Sequence, residues 1–113
     1  LNKFELIEQA NQISDRIWEE VIYWKHFPKD TVGKQLVRAS DSISANLSEA
    51  YGRFSFPDRK RFSYYARGSL CETTNWITIS VNRNLLNPDK GNEILTMLNT
   101  LSCRLNRYIR SLS

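Results

Sequence analysis

The amino-acid sequence predicts an all-α protein, an antiparallel up-down-up-down four-helix bundle formed as a single domain over residues 1–113. Three observations lead there. Apolar residues recur at steps of three and four along nearly the whole chain, the period of an amphipathic helix. Only four Gly and three Pro occur among 113 residues, which argues against a loop-rich β architecture. No segment shows the strict apolar-polar alternation of a half-buried strand.

The first helix is expected over residues 3–25, with a seam of Phe4, Ile7, Ala10, Ile17, Val21 and Trp24. Phe27 and Pro28 should stop it, because proline lacks a donor and drives the preceding residue out of the helical region. Asp30 or Thr31 can then cap a second helix over residues 31–52, whose seam reads Val32, Leu36, Ala39, Ile43, Leu47 and Ala50. Gly52 is the natural left-handed terminator. A third helix over residues 56–85 opens on Ser55, with Pro57 in its first turn and Asp58 three residues after the cap. Its face carries Phe62, Tyr65, Ala66, Ser69, Thr73, Trp76, Ile77 and Ser80. Asn87 and Pro88 repeat the starting signal for a fourth helix over residues 88–112, with Ile94, Leu98, Leu101, Leu105, Tyr108 and Leu112 as its seam. Connections this short force consecutive helices to run antiparallel, crossing at roughly 20°.

That topology gathers charge. The start of the first helix, the end of the second, the start of the third and the end of the fourth share one end of the bundle. They bring together Lys3, Arg53, Arg59, Lys60, Arg61, Arg104, Arg107 and Arg110 against Glu5, Glu8, Glu49 and Asp58, while the rest of the chain balances, so the net charge of +4 belongs to that end. One reading is solvation and matching of the helix dipole, since Arg in the last turn of a helix is stabilising in any case. The other is an electrostatic footprint for a phosphate backbone, the signature expected of cations clustered on one end of a basic domain. Arg53, Arg59, Lys60, Arg61, Arg104 and Arg107 are the candidate nucleic-acid contacts, with Tyr51, Phe54 or Phe56 available to stack on bases.

Apolar residues exceed what one core needs. The first helix is apolar nearly all round from Ile17 to Trp24, and the third spreads Trp76, Ile77, Ile79 and Val81 over several faces. Surplus of this kind marks a subunit interface, so a homo-oligomer is expected, with Trp18, Ile22, Trp76, Ile79 and Val81 as interface candidates. Arg38, Asn46, Glu49, Arg67, Ser69 and Glu72 are read as a structural polar cluster between the second and third helices.

Nothing in the sequence has the pattern of a reaction centre. His26 stands without an acidic or serine partner at a useful spacing, and no nucleophile-base pair or separated carboxylate pair is visible. Cys71 and Cys103 read as reduced thiols with no disulfide between them, and a single His leaves no plausible metal set. No catalytic residue, metal or cofactor is therefore expected. No apolar run reaches the roughly 20 residues of a bilayer span and the polar start lacks a signal peptide's apolar region, so no membrane role and a cytoplasmic location are expected. Leu1 in place of an initiating Met suggests a trimmed start and carries no argument.

The residues also resemble a known family. Gln35-Leu36-Val37-Arg38-Ala39, then Ser42, Ile43, Ala45, Asn46, Leu47, Glu49, Gly52, Arg53 and Ser55, resemble the signature of the four-helix-bundle proteins encoded in 23S rRNA intervening sequences. Phe62, Ala66, Arg67, Gly68, Ser69 and Glu72 continue it, and Phe27-Pro28-Lys29 resembles its first turn. Ala50, Ser40 and the stretch Thr73, Thr74, Trp76 depart from the usual pattern. The resemblance implies a homopentameric ring without catalytic activity, associated with RNA or the ribosome. It extends more distantly to the accessory variability protein of diversity-generating retroelements. Five copies pointing the same way would combine to about +20 on one face, enough to attract polyanions without sequence readout. The competing expectation is a protein-interaction scaffold with no nucleic-acid role.

Overall fold

The computed structural model describes residues 3–112, with Lys3 described by its backbone alone. The Lys3 side chain, one of the basic groups counted at the charged end, lies outside the described residues. Four long helices carry the fold: α1 (Lys3–Val21), α3 (Lys34–Tyr51), α4 (Phe56–Asn82) and α5 (Pro88–Ser111). A short α2 (His26–Pro28) runs through a π-helical turn, Lys29–Gly33, directly into α3. Each long helix packs mainly on two neighbours, α3 between α1 and α4, and α5 between α4 and α1. The result is a rod of 44 × 23 × 18 Å.

Both poles show that the directions alternate. At one, Tyr51 at the end of α3 meets Phe4 at the start of α1 and Tyr108 near the end of α5, edge to face, with ring centroids 6.3 and 5.5 Å apart. At the other, Lys90 near the start of α5 pairs with Glu20 near the end of α1 at 3.2 Å, and Arg16 pairs with Glu93.

The sequence signals for α4 and α5 hold atom by atom. Ser55 accepts the Asp58 N–H at 3.2 Å and Asn87 accepts the Asp89 N–H at 2.7 Å, each with proline in the following turn. These bonds satisfy donors that a helix start otherwise leaves open.

The first connection differs from expectation. α1 ends at Val21 rather than near residue 25, and Pro28 lies in the first turn of the next helix instead of stopping the previous one. Proline is tolerated there because its missing N–H would have no intrahelical acceptor anyway. Neither Asp30 nor Thr31 caps a helix starting at 31. The helical run begins at His26 behind an extended Lys25, and the Thr31 hydroxyl donates to the Phe27 carbonyl at 2.8 Å. Gly33 explains the tightness of this corner: a methyl group on it would lie 2.7 Å from Val21 Cγ1 and 3.4 Å from Trp24 Cε3.

Two other terminations are corrected as well. Gly52 caps α3 in a right-handed conformation, φ −79°, so its lack of a side chain is not needed for a left-handed turn. α4 stops at Asn82, three residues before the expected end. Asn84 adopts φ 61°, and the N–H groups of Leu85 and Leu86 both turn back to the Ser80 carbonyl, which brings Leu86 into the core.

Core assignments follow the amphipathic quality of each helix. Every seam residue expected on α3 and α5 is buried. On α1 the core row is Leu6, Ala10, Ile13, Ile17 and Val21, so Ala10, Ile17 and Val21 keep their places while Phe4 is 65% exposed and Ile7 and Trp24 are half-buried. On α4 the row is Ser63, Ala66, Leu70, Thr73, Ile77 and Ser80; Phe62, Ser69 and Trp76 are half-buried and Tyr65 is 50% exposed. The hydroxyls of Ser63, Thr73 and Ser80 donate to the carbonyls of Arg59, Ser69 and Trp76 within their own helix, so small polar groups are buried satisfied.

Candidate nucleic-acid interface

The basic pole is built around the turn between α3 and α4. Glu49 and Arg53, one helical turn apart, form an ion pair at 2.5 Å, and Gly52 ends α3 between them and the turn. Arg59, one turn into α4, donates from Nε to the Arg53 carbonyl at 2.6 Å, which ties the two helices across the turn. Its charge also reaches the Tyr108 hydroxyl on α5. Phe62 is a platform for two guanidinium groups, Arg53 at 4.5 Å and Arg61 at 5.0 Å from the ring centroid, and Arg61 is paired with Asp58 at 3.3 Å. Such cation-π contacts contribute about 0.5–1 kcal/mol at exposed sites.

The six candidate cations therefore divide. Arg53, Arg59 and Arg61 are engaged with neighbours, whereas Lys60, Arg104 and Arg107 have no carboxylate within ion-pair distance among the described residues. Arg104 and Arg107 belong to the last turns of α5, which Tyr108 anchors to Tyr51 at this pole. Aromatic surface accompanies the charge. Phe54 is 100% exposed and Phe56 59%, with the Arg59 guanidinium 5.8 Å from the Phe56 ring. Tyr51, expected as a stacking surface, is instead half-buried between Phe4 and Tyr108. Burial pushes its hydroxyl well above the usual tyrosine range, and Tyr108 is raised for the same reason, with Arg59 pulling the other way.

Sequence reasoning missed the pairing of Arg67 with Tyr64, whose ring lies 4.8 Å below the guanidinium, and of Arg67 with Asn106 at 3.1 Å. The three-residue spacing of Tyr64 and Arg67 on one helix was the available signal. The expected polar cluster is not one network. Asn46 donates to the Ser42 carbonyl at 2.9 Å, Glu49 pairs with Arg53, Arg67 reaches Asn106, and the Ser69 carbonyl accepts from Thr73. Arg38 and Glu72 are exposed. The physical reason is that apolar and small residues fill the α3–α4 seam, leaving these side chains on its outer rim.

Among the interface candidates, Trp18 is 55% exposed and Ile22 37%, whereas Trp76 and Ile79 are half-buried. Val81 turns inward, where a methyl group on Gly91 would lie 2.5 Å from its Cγ2, so it belongs to the α4–α5 packing. His26 is exposed, and Cys71 and Cys103 are free and exposed. Among the described residues no three His, Cys, Asp or Glu side chains converge as a metal site would require, and no helix is long and apolar enough to cross a membrane.

These features define a class: a small four-helix bundle whose distinctive chemistry is spread over a cationic, aromatic pole instead of being held in a cleft. Within that class, the chain belongs to the 23S rRNA-intervening sequence protein family, whose profile matches residues 2–107. The same fold occurs in a protein of unknown function from the S23 ribosomal protein family of Bacteroides thetaiotaomicron. The two share 18% identity and superpose with a TM-score of 0.88 over 97% of this chain and 99% of that one. No curated protein matches the chain.

Proposed function

We propose that the protein is a non-catalytic cytoplasmic homo-oligomer, a pentameric ring as its family resemblance implies, that binds RNA, ribosomal RNA in the first instance, through the basic pole. The observation that supports this reading most is the meeting at one pole of Lys60, Arg104 and Arg107, none held by a carboxylate among the described residues, with the exposed rings of Phe54 and Phe56. Cations supply attraction to any phosphate backbone, and an exposed ring beside them offers a face on which an unpaired base can stack. Arg53, Arg59 and Arg61 shape the turn and add to the field, the first two through the bond from Arg59 to the Arg53 carbonyl.

Fluorescence anisotropy with single-stranded and hairpin RNA across a salt series tests the reading. Wild type should bind with a steep negative salt slope. Lys60→Glu with Arg107→Glu should weaken binding at least tenfold and flatten the slope, by about 0.7 for each single-strand phosphate that is no longer neutralised. Unchanged binding in that variant overturns the site. Salt-insensitive capture of a protein partner with no RNA affinity would favour a protein-interaction scaffold.

A further inference from the structure

The basic pole continues onto one side of the bundle. On α4, Lys60, Tyr64, Arg67, Cys71, Thr74 and Thr78 recur at steps of three and four and so share a flank. That flank is turned to α5, because the Arg67 guanidinium donates to the Asn106 side chain at 3.1 Å and Cys71 and Thr74 line a cleft with α5 residues. Across from them α5 presents Asn106, Ser102, Asn99 and Leu95. None of these residues is acidic. Glu72 lies about 100° round α4 from Cys71, and Glu93 is turned to α1, where it pairs with Arg16.

Two places along this groove suit a nucleotide. Near the pole the Tyr64 ring is 43% exposed and the Arg67 guanidinium lies 4.8 Å from its centroid, so a ring for stacking and a cation for a phosphate stand together. Further along, a cleft of about 400 Å³ opens between the two helices. Leu70, Leu95 and Leu98 form its apolar floor, and Thr74, Asn99 and Ser102 its polar rim. The Thr74 hydroxyl donates to the Leu70 carbonyl at 3.0 Å and keeps lone pairs to accept, while the exposed Asn99 amide offers both a donor and an acceptor. A nucleobase has the matching character, with an apolar face and a hydrogen-bonding edge.

We propose that the groove between α4 and α5 guides a single RNA strand away from the basic pole, its phosphates passing Lys60 and Arg67 and one unpaired base seated in the cleft. The inference rests on the RNA-binding reading and deepens it by naming an unpaired strand as the ligand. A duplex fits poorly, because its bases are paired and stacked and one would first have to be flipped out to enter. Beyond Arg67 the groove is lined by uncharged polar groups, which hold a strand by its bases without repelling its backbone.

Cys71, free and exposed beside the cleft, is a native reporter of occupancy. In a Cys103→Ser protein, maleimide labelling of Cys71 is followed by mass spectrometry with a uridine strand of about 12 nucleotides or a blunt RNA duplex of equal charge. With the single strand at ten times its Kd, labelling should slow about tenfold, because only about a tenth of the sites stay open. The duplex should leave the rate unchanged. Ser102→Leu, which fills the cleft without altering charge, and Asn99→Asp, which places a carboxylate at its rim, should each weaken single-strand binding about fivefold or more and leave duplex binding unchanged. The pairing of Arg67 with Asn106 sets Asn99 level with Thr74, about 20 Å along the axis from Lys60, and screening over about 8 Å confines the new charge to the cleft. Circular dichroism checks that both variants fold, and the Cys71 rate decides the question should either fail to.

A bound single strand that leaves Cys71 labelling unchanged, equal protection by the duplex, or unchanged affinity in both folded variants would overturn the groove. The basic pole would survive those results if Lys60→Glu with Arg107→Glu still abolishes salt-sensitive binding in the same assay. Absence of any RNA binding by the wild type would overturn both.

Discussion

The two poles of the bundle use the same short-turn topology for opposite ends. At the pole of Gly33 and Gly91, chain segments approach until a single added methyl would collide, with Val21 Cγ1 at 2.7 Å and Val81 Cγ2 at 2.5 Å. At the basic pole the turn leaves Phe54 fully exposed and holds its shape through guanidinium contacts: Arg59 to the Arg53 carbonyl, and Arg53 and Arg61 over Phe62. One end is closed by packing up to its turns, and the other adds an open, charged turn to the packed rings of Phe4, Tyr51 and Tyr108. Packing tolerates little change in volume, whereas an exposed turn built from side-chain contacts can vary its surface at small cost to the fold.

The sharpest way to break this contrast is a deletion near the packed pole. Leu36, 1% exposed, should lose about 2–5 kcal/mol of stability on replacement by Ala, while Phe54→Ala should stay within about 0.5 kcal/mol, both read from urea unfolding midpoints. A comparable loss in Phe54→Ala would mean that the turn between α3 and α4 is also stabilised by packing.

Gly91→Ala should come next. Overpacking against Val81 costs roughly 1–3 kcal/mol, offset by up to about 1 kcal/mol of helix propensity. Val81→Ala in the same chain should recover part of that loss, and a double-mutant cycle with no coupling would show that the two side chains do not compete for space. Ser55→Ala should cost about 1 kcal/mol by removing the acceptor for the Asp58 N–H, visible as a lower thermal midpoint.

The smallest effect at neutral pH concerns the tyrosines that join the basic pole to the core. Burial raises the Tyr51 and Tyr108 hydroxyls above their unfolded value of about 10, so the folded state favours the neutral form. Their contribution is fully present below that unfolded value and is lost as pH rises through it toward the higher folded value. Urea midpoints should therefore be level between about pH 7 and 9 and fall above about 10. Tyr51→Phe should make that alkaline fall shallower, and an unchanged fall would place the alkaline sensitivity elsewhere.

Legibility in the sequence followed how one-sided each helix is. On α3 and α5 the apolar residues concentrate on one face, with Val37, Leu95 and Met97 only partly buried beside it, so Leu36, Ile43, Leu47, Leu98 and Leu105 could be assigned to the core from spacing alone. α1 and α4 carry apolar residues on more than one side, and spacing could not say whether Phe4 or Leu6, or Tyr65 or Leu70, faces inward. At the basic pole, residue types and topology were readable, but the full division between engaged Arg53, Arg59 and Arg61 and Lys60, Arg104 and Arg107, which form no ion pair among the described residues, was not. The pairs Glu49–Arg53 and Asp58–Arg61 follow the four- and three-residue spacing of helix neighbours, whereas the bond from Arg59 to the Arg53 carbonyl and the stacking of Arg53 on Phe62 join different helices, which no spacing rule encodes.

By itself the sequence determined the helical class, the caps at Ser55 and Asn87 and the pole at which positive charge collects, because all three depend on local chemistry and short connections. Only the tertiary structure decided where α1 ends, that Pro28 opens a helix, and which aromatic residues remain outside. Those outcomes depend on volume: Trp24 and Val21 closing on Gly33, and one core too narrow to take both apolar rows of α1, are facts about space shared between distant segments.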